Sequence, residues 1–202
     1  MGRLQGKVAF VSGGLRGIGL AIATRFLAEG AQVVVSDLDA ADGDGAIQVM
    51  AQLGAGASYV AADVASEEDW GRVAAHIRAT HGALHVLVNN AGIDLTGAVE
   101  TLELAAWRKI MAINVDGVFL GVKTLVPLLV EGGAGVVGGA SIINVSSIMG
   151  LVGYSEVSAY NASKGAVRLF TKGLAIEFAT KRMPIRANSL HPGFVKTPLL
   201  NA

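Results

Sequence analysis

Lys7–Asp37, KVAFVSGGLRGIGLAIATRFLAEGAQVVVSD, is the stretch on which the architecture turns. A short apolar run from Lys7 to Ser12 ends in Gly13-Gly14-Leu15-Arg16-Gly17-Ile18-Gly19. The next segment repeats apolar residues at helical spacing, with Ile22, Phe26 and Leu27, and Gly30 closes it. In a strand, Gly-rich turn and helix so ordered, backbone N–H groups and the helix N-terminus can hold a pyrophosphate. A Cβ on the glycines would block the turn, the phosphate approach or the packing of helix on strand. A second strand, Gln32 to Ser36, then delivers Asp37 about twenty residues after the glycines. A carboxylate there can accept hydrogen bonds from adenosine ribose hydroxyls and repel a 2′-phosphate, which predicts NAD over NADP. Asp37 would serve equally to cap a turn before Ala40 and Ala41.

The same alternation continues outward. Asp42 to Leu53 predicts a helix weakened by Gly43 and Gly45, and Ser58 to Ala62 a third strand that delivers Asp63 and Val64 towards an adenine ring. Ser66, followed by Glu67, Glu68 and Asp69, is a helix start, and the helix runs to about Thr80 with Trp70, Val73 and Ile77 inward. Leu84 to Val88 is a continuous apolar run, as expected of a central parallel strand covered on both faces. It ends in Asn89-Asn90-Ala91-Gly92, residues that brace a backbone and leave room for a ligand, though a plain strand-to-loop turn uses them too. Leu102 to about Leu129 holds one or two helices with a joint near Met111–Val115, where Asn114 interrupts an apolar face. Glu131 to Ala140, EGGAGVVGGA, reads as a flexible surface connection, and Ile185 to Leu190 as a sixth strand. Strands alternating with longer helices, and no repeat or linker, predict one doubly wound α/β domain with a parallel sheet over 1–202.

Chemistry concentrates in Ser141–Lys164, SIINVSSIMGLVGYSEVSAYNASK. Tyr160 and Lys164 stand four apart, a spacing that stacks two side chains on one helical face. An ammonium beside a phenol favours the phenolate, so the tyrosine becomes a usable acid or base. Ser147, thirteen residues earlier, can present a hydroxyl to the same reacting oxygen. Taken alone, such a Tyr/Lys pair also occurs by chance on half-exposed helices. His76 and His81 have no companions for a metal site, and none is expected.

Composition narrows the classes. Of 202 residues, 52% are hydrophobic and formal charges cancel, which describes a globular core and no disordered chain. Basic and acidic residues are interspersed, so no nucleic acid is expected as partner. Zero Cys excludes disulfides and thiolate metal sites and fits a reducing, cytoplasmic setting. No signal peptide is read at the N-terminus and no apolar stretch nears the roughly 18 residues of a membrane span.

These ordered motifs together resemble the short-chain dehydrogenase/reductase family, within it most of all the bacterial secondary-alcohol and hydroxysteroid dehydrogenases. The resemblance implies a Rossmann-like fold, and it implies NAD held by Ser12, Gly13, Arg16, Gly17, Ile18 and Gly19 in the loop, with Ser12 where Thr is more usual. It assigns Asp37 and Leu38 to the ribose, Asp63 and Val64 to the adenine, and Asn90, Ala91 and Gly92 to the cofactor wall. Pro192, Gly193, Val195 and Thr197 would meet the nicotinamide side. Asn114, Ser147, Tyr160 and Lys164 would form the catalytic set, Asn114 by holding a water near Lys164. Ser147 is preferred to Ser146 because the family uses the second of such a pair. Ser147, Met149, Tyr154 and Tyr160 would face the alcohol or ketone, a steroid-like one given the apolar Ile148, Leu151 and Val152.

Family members form homodimers or homotetramers through helices that fall here at 112–129 and 158–180, where Phe119, Val122 and Phe170 suit an interface as well as a core. They also continue past the position of Ala202 with a substrate-covering segment and a seventh strand, so six strands are expected and the sixth is a sheet edge. Two functions follow: an NAD-dependent oxidoreductase, or a self-associating nucleotide-binding protein with little turnover.

Overall fold

The computed structural model describes residues 2–197. Strands β1 (Val8–Ser12), β2 (Gln32–Asp37), β3 (Ala57–Ala61), β4 (Val86–Asn89), β5 (Ala140–Val145) and β6 (Ile185–Leu190) alternate with helices along the chain. The helices are α1 (Gly17–Ala28), α2 (Asp44–Leu53), α3 (Glu67–His81), α4 (Leu104–Met111), α5 (Gly117–Gly133) and α6 (Ser158–Thr180). All pairings are parallel in the order β3-β2-β1-β4-β5-β6, the expected doubly wound sheet of six strands among the described residues.

The period of two along β1 explains why its sequence is apolar throughout. Val8 and Phe10 join a cluster with Trp70 and Ile77 of α3, Leu125 and Leu129 of α5, and Leu174 and Phe178 of α6. Ala9 and Val11 turn the other way, towards Ala23, Ile22 and Phe26 of α1 and Met50 and Leu53 of α2. The Phe10 and Trp70 rings meet at 5.5 Å between centroids, and full burial of a side chain such as Phe10 is worth about 1.5–3 kcal/mol.

Element boundaries move by a residue or two, for visible reasons. Leu84 lies ahead of β4 because its N–H donates to Leu128 O of α5, and β3 gives up Ala62, whose N–H still reaches Asp37 O. The Ser66 hydroxyl accepts from Asp69 N, as a cap should, but the Asp69 carboxylate turns to Asp63 N at 2.8 Å and leaves the box half made. The joint in the fourth helical segment is a π-helical turn, Ala112–Asp116, inserted without interruption between α4 and α5.

That continuous helix, Leu104–Gly133, corrects the expectation that no stretch nears a membrane span: its most apolar 18-residue window has mean hydropathy 1.6. Its inner face packs on the sheet through Leu125, Leu128 and Leu129, as a core helix does. Val122 is likewise core, 3% exposed, whereas Phe119 is half exposed and meets Phe170 edge-on at 6.3 Å. The supposed flexible connection is corrected too. Gly132 and Gly133 finish α5, and a Cβ there would stand 2.0 Å from Leu84 O and 2.1 Å from Pro184 O. These glycines are contacts between α5 and the ends of β4 and β6, with only residues 134–139 left as turn.

Candidate active site

The C-terminal ends of β1, β2, β4 and β5 open on one cavity of about 540 Å³. All the predicted site residues line it except Ser12, Gly19, Asn114 and Tyr154. Ser12 and Gly19 shape it from behind. The Ser12 hydroxyl accepts from Asn90 N at 3.0 Å and Ala91 N at 3.1 Å, while Asn90 Nδ2 donates to the carbonyls of Ser12 and Gly13 at 2.9 and 3.1 Å. A Cβ on Gly19 would sit 2.0 Å from Gly13 O, and Gly13 itself holds φ +64°, so both positions require glycine. The asparagine motif after β4 is therefore the brace of the glycine loop.

This loop fits a dinucleotide. The N-terminus of α1 has no side-chain cap and no acid in its first turn, which leaves its N–H groups for an anion. Asp37, at the end of β2, accepts from Leu15 N at 3.2 Å and from Leu38 N at 3.0 Å. The Arg16 guanidinium lies 3.8 Å from Asp37 and 3.0 Å from Asp39, so two carboxylates already compensate its charge.

Tyr160 and Lys164 project from the first turns of α6 beneath the end of β5, as their spacing predicts. Lys164 is 4% exposed; its Nζ donates to Val145 O at 2.9 Å and lies 5.7 Å from the Tyr160 ring centroid. Ser147 begins the 3₁₀ turn Ile148–Gly150, its hydroxyl accepting from Met149 N at 3.1 Å, and it lines the same cavity as Tyr160. Ser146 turns inward, donating to Lys164 O at 2.8 Å. Burial dominates both titrations. It raises the Tyr160 phenol above its ordinary value, with the Ser147 hydrogen bond pulling down and the Asp94 charge pushing up. It lowers the Lys164 ammonium to about 8, opposed by Asp94. Desolvation thus sets the direction of the Tyr160 shift, opposite to the one a neighbouring ammonium alone would give.

Asn114 is fully buried in the π-helical turn. Its Oδ1 accepts from Ile93 N at 2.9 Å, and Nδ2 donates to Ile93 O at 2.9 Å and Ser163 Oγ at 3.1 Å. Asn114 Oδ1 and Lys164 Nζ both border Gly92, where a Cβ would lie 3.1 and 3.3 Å from them. The amide is spent on the backbone of Ile93, so its evident work is positioning. Tyr154 stands outside the cavity, exposed, in edge contact with Phe194 at 6.4 Å.

Sequence reasoning missed several supports. Tyr59, paired with Val35 across β2 and β3, donates to the carbonyls of Asp37 at 3.0 Å and Asp39 at 2.5 Å. Asn161 Nδ2 donates to Met149 O at 2.6 Å and Val152 O at 3.0 Å, fixing the segment after Ser147. Asn144, the polar break in β5, bridges Asn89 and Thr171. Only Asn144 carried a signal, since an amide in a buried strand must find partners.

The short chain dehydrogenase family model matches residues 7–202. The NADP-dependent (R)-specific alcohol dehydrogenase of Lentilactobacillus kefiri is 42% identical over 199 residues, which cover 98% of this chain and 77% of that protein. The 3-alpha-(or 20-beta)-hydroxysteroid dehydrogenase of Mycobacterium tuberculosis is 44% identical over 198 residues, 98% of this chain and 72% of the relative. The crystal structure of 3-ketoacyl-(acyl-carrier-protein) reductase from Brucella melitensis complexed with NADH superposes with TM-score 0.89 at 38% identity, covering 98% and 80% of the two chains.

Proposed function

Because this chain belongs to the short-chain dehydrogenase family, we propose that it interconverts a secondary alcohol and its ketone with NAD(H), Tyr160 moving the substrate proton. At the coarser level it is a nucleotide-dependent oxidoreductase of that family acting on alcohol or ketone substrates. One observation carries the finer reading: Tyr160, Ser147 and Lys164 line the same cavity as the glycine loop and Asp37. The names of the relatives point to secondary alcohols, hydroxysteroids among them. Asp37 argues for NAD over the NADP of the Lentilactobacillus relative, and Arg16, held by Asp37 and Asp39, is not free for a 2′-phosphate.

A bound nicotinamide supplies hydride acceptance and donation. In the oxidation direction the Tyr160 oxygen takes the substrate hydroxyl proton; in reduction it returns one. Ser147, whose oxygen already accepts from Met149 N, keeps its own proton to donate to the substrate oxygen as charge grows there. Lys164 uses one N–H on Val145 O and retains others for ribose hydroxyls. Asn114 positions Ile93 and Ser163 around this group.

The chain acts as one domain, in a cytoplasmic setting, and self-associates through the helices at 112–129 and 158–180, where Phe119, Leu169 and Ile176 are exposed. Fluorescence titration with NADH and NADPH, followed by turnover of a panel of alcohols and steroids, tests the reading. Tighter NADH binding with turnover is expected; binding without any turnover would leave only a nucleotide-binding protein.

A further inference from the structure

His191 stands just beyond β6, half-buried, with both ring nitrogens engaged and no part in the roles described above. The β5–β6 ladder ends with Val145 opposite Leu190, and two further hydrogen bonds carry it on: Ser146 N donates to Leu190 O at 2.8 Å and Ile148 N to Pro192 O at 2.9 Å. Pro192 has no N–H to give in return. The donor on this side is instead the His191 ring, whose Nδ1 lies 3.0 Å from Ser147 O. A carbonyl only accepts, so Nδ1 carries the proton, and Nε2 of the neutral ring accepts from the Ser189 hydroxyl at 2.9 Å. The peptide unit between Ser147 and Ile148 is thus tied to the His191-Pro192 pair at both its polar ends, and Gly150 N shares the Ser147 carbonyl at 2.9 Å. The Ser147 hydroxyl in turn accepts from Met149 N. Main chain and side chain of the serine are fixed together where it lines the cavity with Tyr160.

We propose that His191 is a positioning residue: by holding the Ser147 carbonyl it aims the Ser147 hydroxyl at the substrate oxygen. It acts through the serine, and a small misplacement at a reacting atom costs rate more than affinity. This rests on the oxidoreductase reading for what Ser147 does, but the placement of Ser147 can be read without turnover.

Two variants isolate the ring N–H: His191→Leu removes it, and His191→Asn restores an N–H close to where Nδ1 stands. Reduction is followed by NADH consumption, with cyclopentanone and the ketosteroids as probes. H191L should lower kcat about tenfold while KM for NADH stays within about twofold, and H191N should recover kcat to within about threefold of wild type. In isotope-labelled protein the Met149 amide, which donates to the Ser147 hydroxyl, reports where that hydroxyl sits. Its NMR signal should move in H191L and stay in H191N, and ring-nitrogen spectra of wild type above neutral pH should show His191 protonated on Nδ1. Equal kcat in wild type and H191L, H191N no better than H191L, or a wild-type ring protonated on Nε2 would each overturn the positioning role, the last without needing any variant to fold. Wild type that shows the ring and amide signatures yet consumes no NADH upholds the placement of Ser147 by His191 and sinks the oxidoreductase reading instead.

Discussion

Burial acts oppositely on the two groups of the proton-handling pair, raising Tyr160 and lowering Lys164. The phenol consequently keeps its proton throughout the neutral range, the form reduction needs, whereas alcohol oxidation needs the scarcer phenolate. We therefore expect kcat/KM for oxidation to climb with pH through 9, while that for reduction stays level near neutrality and declines as Lys164 loses its proton near about 8. pH–rate profiles in both directions check this, and a flat oxidation profile from pH 6 to 9 would contradict it. Tyr160→Phe should lower turnover roughly a thousandfold and keep NADH affinity, as fluorescence titration will show. A subtler case is Tyr59→Phe: losing the hydroxyl that ties the Asp37 and Asp39 carbonyls should raise KM for NADH about fivefold, with kcat little altered. The Tyr160/Lys164 pair was legible from spacing alone. Tyr59 was not, because a single strand tyrosine has no pattern until the fold sets it beside the Asp37 and Asp39 carbonyls.

Among the elements, the π-helical turn joins α4 and α5 as one helix and carries Asn114, which holds Ile93. Asn114→Ala would strip partners from a buried N–H and carbonyl at once. A loss of roughly 2 kcal/mol is expected, read as a Tm several degrees lower in calorimetry, with NADH binding weakened alongside. Helix-on-helix fit sets a second limit at Gly121, where a Cβ would meet Asn89 Oδ1 at 2.5 Å and the Trp70 ring at 2.7 Å. Gly121→Ala should cost about 1–3 kcal/mol through overpacking, measured by urea denaturation. The joint at Met111–Val115 was visible in sequence because Asn114 breaks an apolar face, but a π turn leaves no mark of its own in composition. Gly132 and Gly133 misled for a related reason. Glycine serves both loose loops and close contacts, and only the approach of Leu84 and Pro184, remote in sequence, tells which.

At the scale of the whole molecule, the doubly wound parallel sheet and its two packed faces followed from the alternation of short apolar runs and longer helices, since a parallel sheet must cover both sides. What the pattern could not give was which apolar residues stay outside. Leu169 and Ile176 are each 70% exposed on α6, against a core that already holds Leu174 and Phe178. Paired Leu169→Glu and Ile176→Glu substitutions should convert a dimer or tetramer to monomer in light scattering; an unchanged mass would remove α6 from the interface. The sheet also carries a consequence in time. β1 is the first strand made, yet it lies in the middle, Ala9 beside Val33 on one side and Val86 on the other. A chain emerging from the ribosome can close β1 on β2 early, but the far side of VAFVS stays bare until β4 has followed. Folding then waits on a distant pairing, which is slow and exposes a sticky edge meanwhile. We expect yield in a cell to fall when synthesis of the residues between those two strands is slowed, which the soluble fraction of synonymous-codon variants checks.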